Sequence, residues 1–149
     1  MRIISTSKEL ISLLDDTGKV TEPVFIKDYS RLTGMDNLTS FNGITVGYSC
    51  VIKGLVCVTE FNNVVTGEWC VFTGLKSLRV IVGCSFGGSA NLHGLNSLKV
   101  VDGCIFGHGV VMEGLSYPVE FTNCSFTGLF KPLNRIDIGQ ARCVFPIGK

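Results

Sequence analysis

The amino-acid sequence predicts an all-β protein, a single-domain parallel β-solenoid (β-helix) of about five to six coils with twenty residues each. Three observations lead to this fold class: a glycine that recurs every twenty residues, apolar columns that recur with it, and spacing by two within each coil. The recurring glycines are Gly34, Gly54, Gly74, Gly94 and Gly114. A fixed period of this kind is typical of repeats that stack and share one continuous core.

The apolar columns indicate which side chains face the core. Spacing by two, as in Cys104-x-Phe106 and Val110-x-Met112, is typical of short strands with alternate residues inward. At about 3.3 Å per residue, a coil is too short for a strand plus a long helix, so strands and turns stacked in parallel at roughly 4.8 Å are predicted. The inward columns begin at Met35, Leu38, Phe41, Ile44, Val46, Cys50 and Ile52.

Both ends of such a solenoid need covering, because an open sheet edge presents unpaired backbone groups. Residues 1–17 are predicted to form an N-terminal helical cap. Residues 18–133 are predicted to be the solenoid coils, and residues 134–149 a C-terminal cap or tail. All three parts belong to one domain.

The N-terminal cap has the pattern of a short amphipathic helix. In TSKELISLLDD, Thr6 or Ser7 is placed to cap the helix, and Leu10, Ile11 and Leu14 share one face. After a turn at Gly18, the segment PVFIKDYSRLT is interpreted as a degenerate first coil. Its expected inward residues are Val24, Ile26 and Leu32.

Composition argues against several kinds of partner. The chain has 149 residues, of which 46% are hydrophobic and 17% charged, and its formal net charge is +1. So small a net charge does not favour nucleic acid as a partner. The sequence has no run of about eighteen apolar residues, so no membrane partner is expected.

The cysteines indicate a compartment. There are seven, an odd number without a CxxC motif, and MRIISTSKELISLLDD lacks the continuous apolar segment of a secretory signal. These observations predict free cysteines in a reducing compartment. The expected location is the cytoplasm, which means the host cytoplasm if the protein is viral.

Two sequence segments resemble the repeats of a known family. SLRVIVGCSF and SLKVVDGCIF resemble the repeats of growth-factor receptor L domains, and Val101-x-x-Cys104-x-Phe106 is similar to the leucine-rich-repeat frame LxxLxL. The resemblance covers about residues 34–133 and implies a repeat protein with a protein-binding or ligand-presenting surface. The sequence departs from the leucine-rich frame where the repeat's asparagine would stand. That column holds Ser49, Trp69, Ser89, Gly109 and Leu129.

Pentapeptide-repeat proteins are a second resemblance at the level of fold. They also use twenty residues per coil, but their five-residue period is matched here only by fragments such as Cys-x-Phe. No functional residue is carried over from either family.

The cysteine columns are better explained by packing than by metal binding. Cys84, Cys104 and Cys124 share one column, and Cys50 and Cys70 share another. A straight ladder of thiols does not converge on a tetrahedral centre, and no histidine lies in either column. We therefore expect buried, soft apolar side chains, with no metal and no cofactor.

No catalytic constellation emerges, so the protein is not expected to be an enzyme. His93 and Glu113 share a column, and a His–Glu pair can serve as a base with its orienting group. No nucleophile accompanies them, and an exposed polar corner is the simpler interpretation. Glu60 and Glu120 share a column three coils apart, about 14 Å at the stacking distance. Glycoside hydrolysis needs two carboxyl groups roughly 5 to 9 Å apart.

A small basic patch is formed by Lys76, Arg79 and Lys99, because Arg79 and Lys99 stack in one column. An ordinary solvated face is the favoured interpretation. Binding of an anion or of an acidic partner is the alternative.

Apolar residues at outward positions are the candidate interface. In register on a flat face they would form a contiguous patch of the kind that marks interaction surfaces. Alternatively, the tails cover this face, or the inward and outward phase of the strands slips near the corners. The residues are Val51, Val71 and Val111, then Val65 and Ile105, then Val80 and Val100, together with Trp69.

The sequence therefore predicts a non-catalytic module for protein–protein interaction, which presents a rigid face to a protein partner or to itself as a homo-oligomer. By analogy alone, such a module fits a phage- or pathogen-encoded factor that acts on a host protein. The alternative is a carbohydrate-binding or carbohydrate-cleaving module, as on phage tails, for which an outward row of aromatics and acids would be the support. A spacer that assembles end to end is a third interpretation, which the capping helix disfavours.

Overall fold

The computed structural model describes residues 1–115, 119–126 and, as the backbone of a strand, 130–132. Within these residues the chain consists of short strands and one short helix. In chain order the elements are β1 (Arg2–Ile4), α1 (Ser7–Ile11), β2 (Val24–Ile26), β3 (Arg31–Leu32), β4 (Ser40–Asn42), β5 (Ile44–Val46), β6 (Val51–Ile52), β7 (Glu60–Asn62), β8 (Val65–Thr66), β9 (Val71–Phe72), β10 (Val80–Val82), β11 (Ser85–Phe86), β12 (Asn91–Leu92), β13 (Val100–Asp102), β14 (Ile105–Phe106), β15 (Val110–Met112), β16 (Glu120–Thr122), β17 (Ser125–Phe126) and β18 (Phe130–Pro132).

The strands form three parallel sheets, and each full coil contributes one strand to each sheet. The seven-stranded sheet has the order β1-β2-β5-β8-β11-β14-β17, the six-stranded sheet β3-β6-β9-β12-β15-β18, and the five-stranded sheet β4-β7-β10-β13-β16. The register advances by one repeat, so that Val80 pairs with Val100, and Leu92 with Met112. The fold is thus a parallel β-solenoid of about six coils, as predicted.

The core lies inside the coils and contains the predicted inward columns. Every described residue of those columns is buried, as are Val24, Ile26 and Leu32 of the first, degenerate coil. Pro118, the remaining member of these columns, lies outside the described residues. The prediction of inward residues is confirmed wherever the structure describes them.

Stacked phenylalanine rings run along this core. The ring centroids of Phe86 and Phe106 lie 5.5 Å apart, and those of Phe106 and Phe126 lie 5.0 Å apart with nearly parallel planes. Phe41 stacks in the same way on Phe61 at 5.0 Å. Such pairs are worth about 0.5–1.5 kcal/mol beyond the burial of their area.

Each coil turns at three corners, where one residue adopts the left-handed backbone conformation. Glycine enters this region at little cost, asparagine is tolerated there, and a bulky side chain is unusual. The first column of left-handed residues is Gly34, Gly54, Gly74, Gly94 and Gly114, and the second is Gly43, Asn63, Gly83, Gly103 and Asn123. The third is Tyr29, Ser49, Trp69, Ser89 and Gly109.

A further glycine column is explained by space rather than by backbone freedom. This column is Gly47, Gly67, Gly87 and Gly107. A Cβ on Gly67 would lie 2.7 Å from the backbone nitrogen of Tyr48 in the preceding coil. A Cβ on Gly87 would lie 2.5 Å from the carbonyl carbon of Gly67. The coils approach too closely at this column for any side chain.

The N-terminal cap is less helical than its pattern suggests. Residues 2–4 form β1, which adds a strand to the seven-stranded sheet, and only Ser7–Ile11 are helical. Thr6 caps the helix, since the backbone N–H of Glu9 donates to its hydroxyl and the backbone N–H of Thr6 donates to Glu9 Oε1. Leu10 is buried. The predicted C-terminal cap over 134–149 lies outside the described residues.

Among the described residues, the helix falls far short of the length that crossing a bilayer requires.

Candidate binding surface

Three exposed aromatic side chains lie together at one corner of the solenoid. Tyr29 is 67% exposed, Trp69 58% and Tyr48 43%. Tyr29 and Trp69 are equivalent residues two coils apart, and Tyr48 belongs to the coil between them. Together with Asp28 and Glu68, the neighbours of Tyr29 and Trp69 in sequence, they are called the aromatic corner below.

The backbone at this corner is rigid. The N–H of Tyr29 donates to the carbonyl of Tyr48 at 3.0 Å, and the N–H of Trp69 donates to the carbonyl of Gly88 at 2.9 Å. The N–H of Ser49 donates to the carbonyl of Glu68 at 2.8 Å. These bonds tie each coil to the next, so the corner is a fixed part of the scaffold.

The two aromatic residues at left-handed positions are costly there. Tyr29 has φ of 65° and Trp69 of 61°, whereas the same corner in other coils holds Ser49, Ser89 or Gly109. A bulky residue in this region costs about 1–3 kcal/mol and is found where function or packing retains it. Because both side chains are mostly exposed, packing does not explain them.

The two tyrosines contact one another. Their ring centroids are 5.2 Å apart and the rings are nearly perpendicular, at 79°. The pKa of the Tyr48 hydroxyl is raised, first by its side-chain hydrogen bond with Tyr29 and by the charge of that phenol, and then by the negative charge of Asp28. The two phenols therefore form one polar and aromatic unit.

Two carboxylates flank this unit. Asp28 Oδ1 accepts a hydrogen bond from the backbone N–H of Tyr48 at 3.1 Å. The exposed Glu68 extends along the next coil, and its Oε2 would lie 3.5 Å from a Cβ on Gly88. Within the part of the chain that the structure describes, neither carboxylate forms a salt bridge.

Of the aromatic corner, sequence reasoning selected Trp69 alone. Tyr29 lies in the degenerate first coil, where the glycine that marks the other coils is missing, so the glycine period does not align Tyr29 with Trp69. The signal was present, because Tyr29, Ser49, Trp69 and Ser89 follow at intervals of twenty.

The candidate interface on the six-stranded sheet is divided by a polar residue. Val51 and Val71 are direct neighbours, but Asn91 lies between Val71 and Val111. All three valines are half-buried. The column therefore forms two apolar spots instead of one strip.

The apolar column on the seven-stranded sheet is divided in the same way. Val65 and Ile105 are both exposed, and Ser85 pairs with each of them from the strand between. Apolar residues scattered in this way are normal on a protein surface.

On the five-stranded sheet, apolar residues occupy both faces of the strands. Ile81 is buried, whereas Val80 and Val100 are adjacent and half-buried on the outer face. Glu60 and Glu120 border this pair on its two sides. The two valines therefore lie between two glutamates in the same row of the sheet.

The basic residues lie on the exterior. Lys76, Arg79 and Lys99 are exposed, and the backbone N–H of Lys99 donates to the carbonyl of Arg79 at 2.9 Å. The structure thus brings Arg79 and Lys99 into adjacent coils at an open surface, and Lys76 lies three residues before Arg79 on that surface.

His93 and Glu113 form the expected neighbouring pair. His93 Nδ1 lies 2.5 Å from Glu113 Oε2, and both side chains are about one-third exposed, at 37%. The nearby described residues in the same column and corner include no serine or cysteine nucleophile: Thr73 precedes His93 by one coil, and Gly94 and Gly114 follow the pair. A partly exposed contact of this kind contributes little to stability.

The cysteine ladders are buried and act as packing groups. Cys50, Cys70, Cys84, Cys104 and Cys124 are buried free thiols, whereas Cys57 is exposed. The pKa of Cys104 is raised to about 12: the hydrogen bond from Cys124 lowers it, but the hydrogen bond to Cys84 and burial raise it more. No group of three or more metal-ligating side chains occurs among the described residues.

A cavity of about 380 Å³ opens beside the helix. Two acidic residues line it, Asp15 and Asp16. Asp15 Oδ1 accepts hydrogen bonds from the backbone N–H groups of Thr17 at 2.8 Å and Lys19 at 3.0 Å. The pKa of Asp15 is lowered by the hydrogen bond from the Thr17 side chain and then by these backbone donors. The carboxylate is therefore used to close the turn at Gly18.

The fold and this surface define a parallel β-solenoid with an aromatic and acidic corner. Comparison with protein families, curated proteins and solved structures gave no match to the chain.

Proposed function

We propose that the chain is a non-catalytic protein-binding module that presents the aromatic corner to another protein or to a second copy of itself. The observation that carries the proposal is the exposure of Tyr29, Tyr48 and Trp69 on one rigid corner. Tryptophan and tyrosine supply much of the binding energy at protein interfaces, because they bury a large area with little loss of side-chain entropy.

Rigidity supports this function. The corner is part of a hydrogen-bonded stack, so binding would not require the backbone to become ordered. A preformed surface avoids that entropic cost, so more of the energy of its contacts contributes to affinity.

The test compares the native chain with Trp69→Ser, which places the serine of the neighbouring coils at the same corner. Light scattering of the purified, reduced protein measures self-association, and a pull-down from cell lysate identifies captured proteins. We expect either a defined oligomer or stoichiometric capture of one protein, and loss of it in Trp69→Ser. A second variant, Val71→Lys with Val111→Lys, tests the six-stranded face in the same assays.

Arg79→Ser is the matched control, because it changes an exposed residue of the five-stranded side. A native chain that is monomeric and captures nothing, or binding that survives Trp69→Ser and is lost in the valine variant, contradicts the aromatic corner as the interface.

The aromatic corner also supports a second candidate function, carbohydrate binding. Aromatic rings bordered by carboxylates can stack on a sugar and accept hydrogen bonds from its hydroxyl groups. Titration with neutral oligosaccharides separates the two, since a glycan-binding corner responds to them without any protein partner.

A further inference from the structure

We propose that the aromatic corner binds a cationic side chain, arginine or lysine, projecting from the partner protein. This inference rests on the proposed function and specifies the chemistry of the partner. Three features carry it: the spacing of the rings, the small residue between them, and the carboxylates beside them.

The spacing of the rings suits a cation. Tyr29 and Trp69 share one backbone conformation at the same corner and are separated by two stacking intervals, about 9.6 Å. A group midway between these two backbone positions lies about 4.8 Å along the stack from each coil, and cation–π attraction acts within roughly 6 Å of a ring centroid. Tryptophan and tyrosine are the aromatic residues that bind cations best.

The residue between the two rings is small. Ser49 occupies the corner in the intermediate coil, so this column has a notch, meaning a position without a large side chain, between Tyr29 and Trp69. Tyr48 precedes Ser49 in this coil, and its ring lies edge-on to that of Tyr29, with the ring centroids 5.2 Å apart. The planar guanidinium group of arginine suits such a notch, since it can stack on a ring and still donate hydrogen bonds in its own plane.

The carboxylates provide charge complementarity. Asp28 is held beside Tyr48 by its hydrogen bond with the Tyr48 backbone, and Glu68 precedes Trp69. Lys27 and Arg31 are near in sequence and exposed, but neither forms a salt bridge with these carboxylates among the described residues. The negative charge of both carboxylates is therefore not compensated by a salt bridge among these residues, and charge-assisted hydrogen bonds between a carboxylate and a guanidinium are strong.

The chain contains its own reporter for this site. Trp69 is its one tryptophan, so intrinsic fluorescence reports on the aromatic corner directly. The full chain, reduced and at low ionic strength, is titrated with a peptide of alternating arginine and glycine. A peptide of alternating glutamate and glycine with the same length is the control. We expect a saturable change with the arginine peptide and none with the glutamate peptide.

Variants locate the binding. Tyr29→Ser keeps the Trp69 reporter and should weaken binding of the arginine peptide roughly tenfold or more, because one of the two rings is lost. Tyr29→Phe keeps the ring and should bind within about threefold of the native chain. Asp28→Asn with Glu68→Gln should weaken binding and reduce its salt dependence. Arg79→Ser should bind as the native chain does.

Two outcomes overturn the inference. An unchanged fluorescence with the arginine peptide, or binding that is indifferent to Tyr29→Ser, excludes a cation site at this corner. The proposed function then still stands if Trp69→Ser abolishes self-association or capture, so the two failures are distinguishable. A saturable response to a neutral oligosaccharide alone would identify a glycan site and overturn both.

Discussion

Trp69 and Ser89 occupy the same corner of adjacent coils with the same backbone. Their φ angles are 61° and 59°, and the N–H of each donates to the carbonyl of the following coil, at 2.9 Å from Trp69 to Gly88 and 2.8 Å from Ser89 to His108. The solenoid thus forms this corner equally well with a serine. The indole of Trp69 is therefore not required to form this corner.

The first prediction concerns the stability of this corner. Trp69→Gly should raise the free energy of unfolding by about 1 kcal/mol, since glycine relieves the left-handed strain. Trp69→Ser should be within about 0.5 kcal/mol of the native chain, as for a surface substitution. Chemical denaturation followed by circular dichroism measures both.

If the free energy of unfolding of either variant instead falls by more than about 1 kcal/mol, Trp69 is a packing residue. The case for a retained, strained binding residue would then fail. Ser89→Gly is the control for the glycine effect alone, and it should stabilise by a similar amount.

The second prediction separates the two reasons for glycine in the repeat. Gly87→Ala should destabilise the protein by roughly 2 kcal/mol or more, because the added Cβ would lie 2.5 Å from the Gly67 carbonyl carbon and the coils would have to separate. Gly103→Asn should change stability by less than about 0.5 kcal/mol. The equivalent corners hold Asn63 and Asn123 with φ of 54°, and the nearest atom to a Cβ on Gly103 is 3.9 Å away.

Thermal unfolding of the two variants, side by side, checks this prediction. If Gly87→Ala and Gly103→Asn lost stability equally, backbone conformation would govern both glycine columns. The coils would then separate easily at Gly87.

The third prediction concerns thiol accessibility. In a Cys143→Ser background, a thiol-reactive chromogenic disulfide should modify one cysteine rapidly in the native state. That cysteine is Cys57, because the ladder thiols are buried and Cys57 is exposed. The remaining five should react only after denaturant is added.

Adding Cys57→Ser should remove the rapid phase and leave the slow one unchanged. A rapid phase that persists in this double variant would show that the ladder opens locally in the native state.

The repeat made the fold predictable from the sequence. The columns beginning at Met35, Phe41 and Ile52 depend on a strict period. A period can be read directly from the sequence, unlike most tertiary features. The helix cap at Thr6 was predictable for a local reason, because a capping residue and Glu9 lie within one turn.

The aromatic corner was harder to predict, for a physical reason. A surface residue leaves no periodic signal unless its column is aligned, and Tyr29 lies in a coil that lacks the marker glycine. Outward valines such as Val71 and Val111 were easier to notice in the sequence than a pair of tyrosines. The same period of twenty places Asn91 between these two valines, and the parallel register of the strands agrees with it.

The last prediction is a pH dependence at the N-terminal cap. Glu9 Oε1 accepts hydrogen bonds from the backbone N–H groups of Ser5 at 2.9 Å and Thr6 at 3.0 Å. These bonds, that of Ser5 first, hold the pKa of Glu9 below its ordinary value of 4.5. Because the folded-state pKa is the lower one, the carboxylate stabilises the fold fully above the unfolded value, and this contribution is lost as pH falls through the folded value.

Glu9→Gln should therefore lower Tm at neutral pH, and the difference from the native chain should shrink as pH is lowered from 4.5. Calorimetric scans over this range measure the difference directly. Glu120→Gln, an exposed residue at the opposite end of the described coils, is the control. A Tm difference for Glu9→Gln that is constant across the acid range would mean that the side chain acts through its shape alone. The proposal that the charge of Glu9 stabilises the cap would then be wrong.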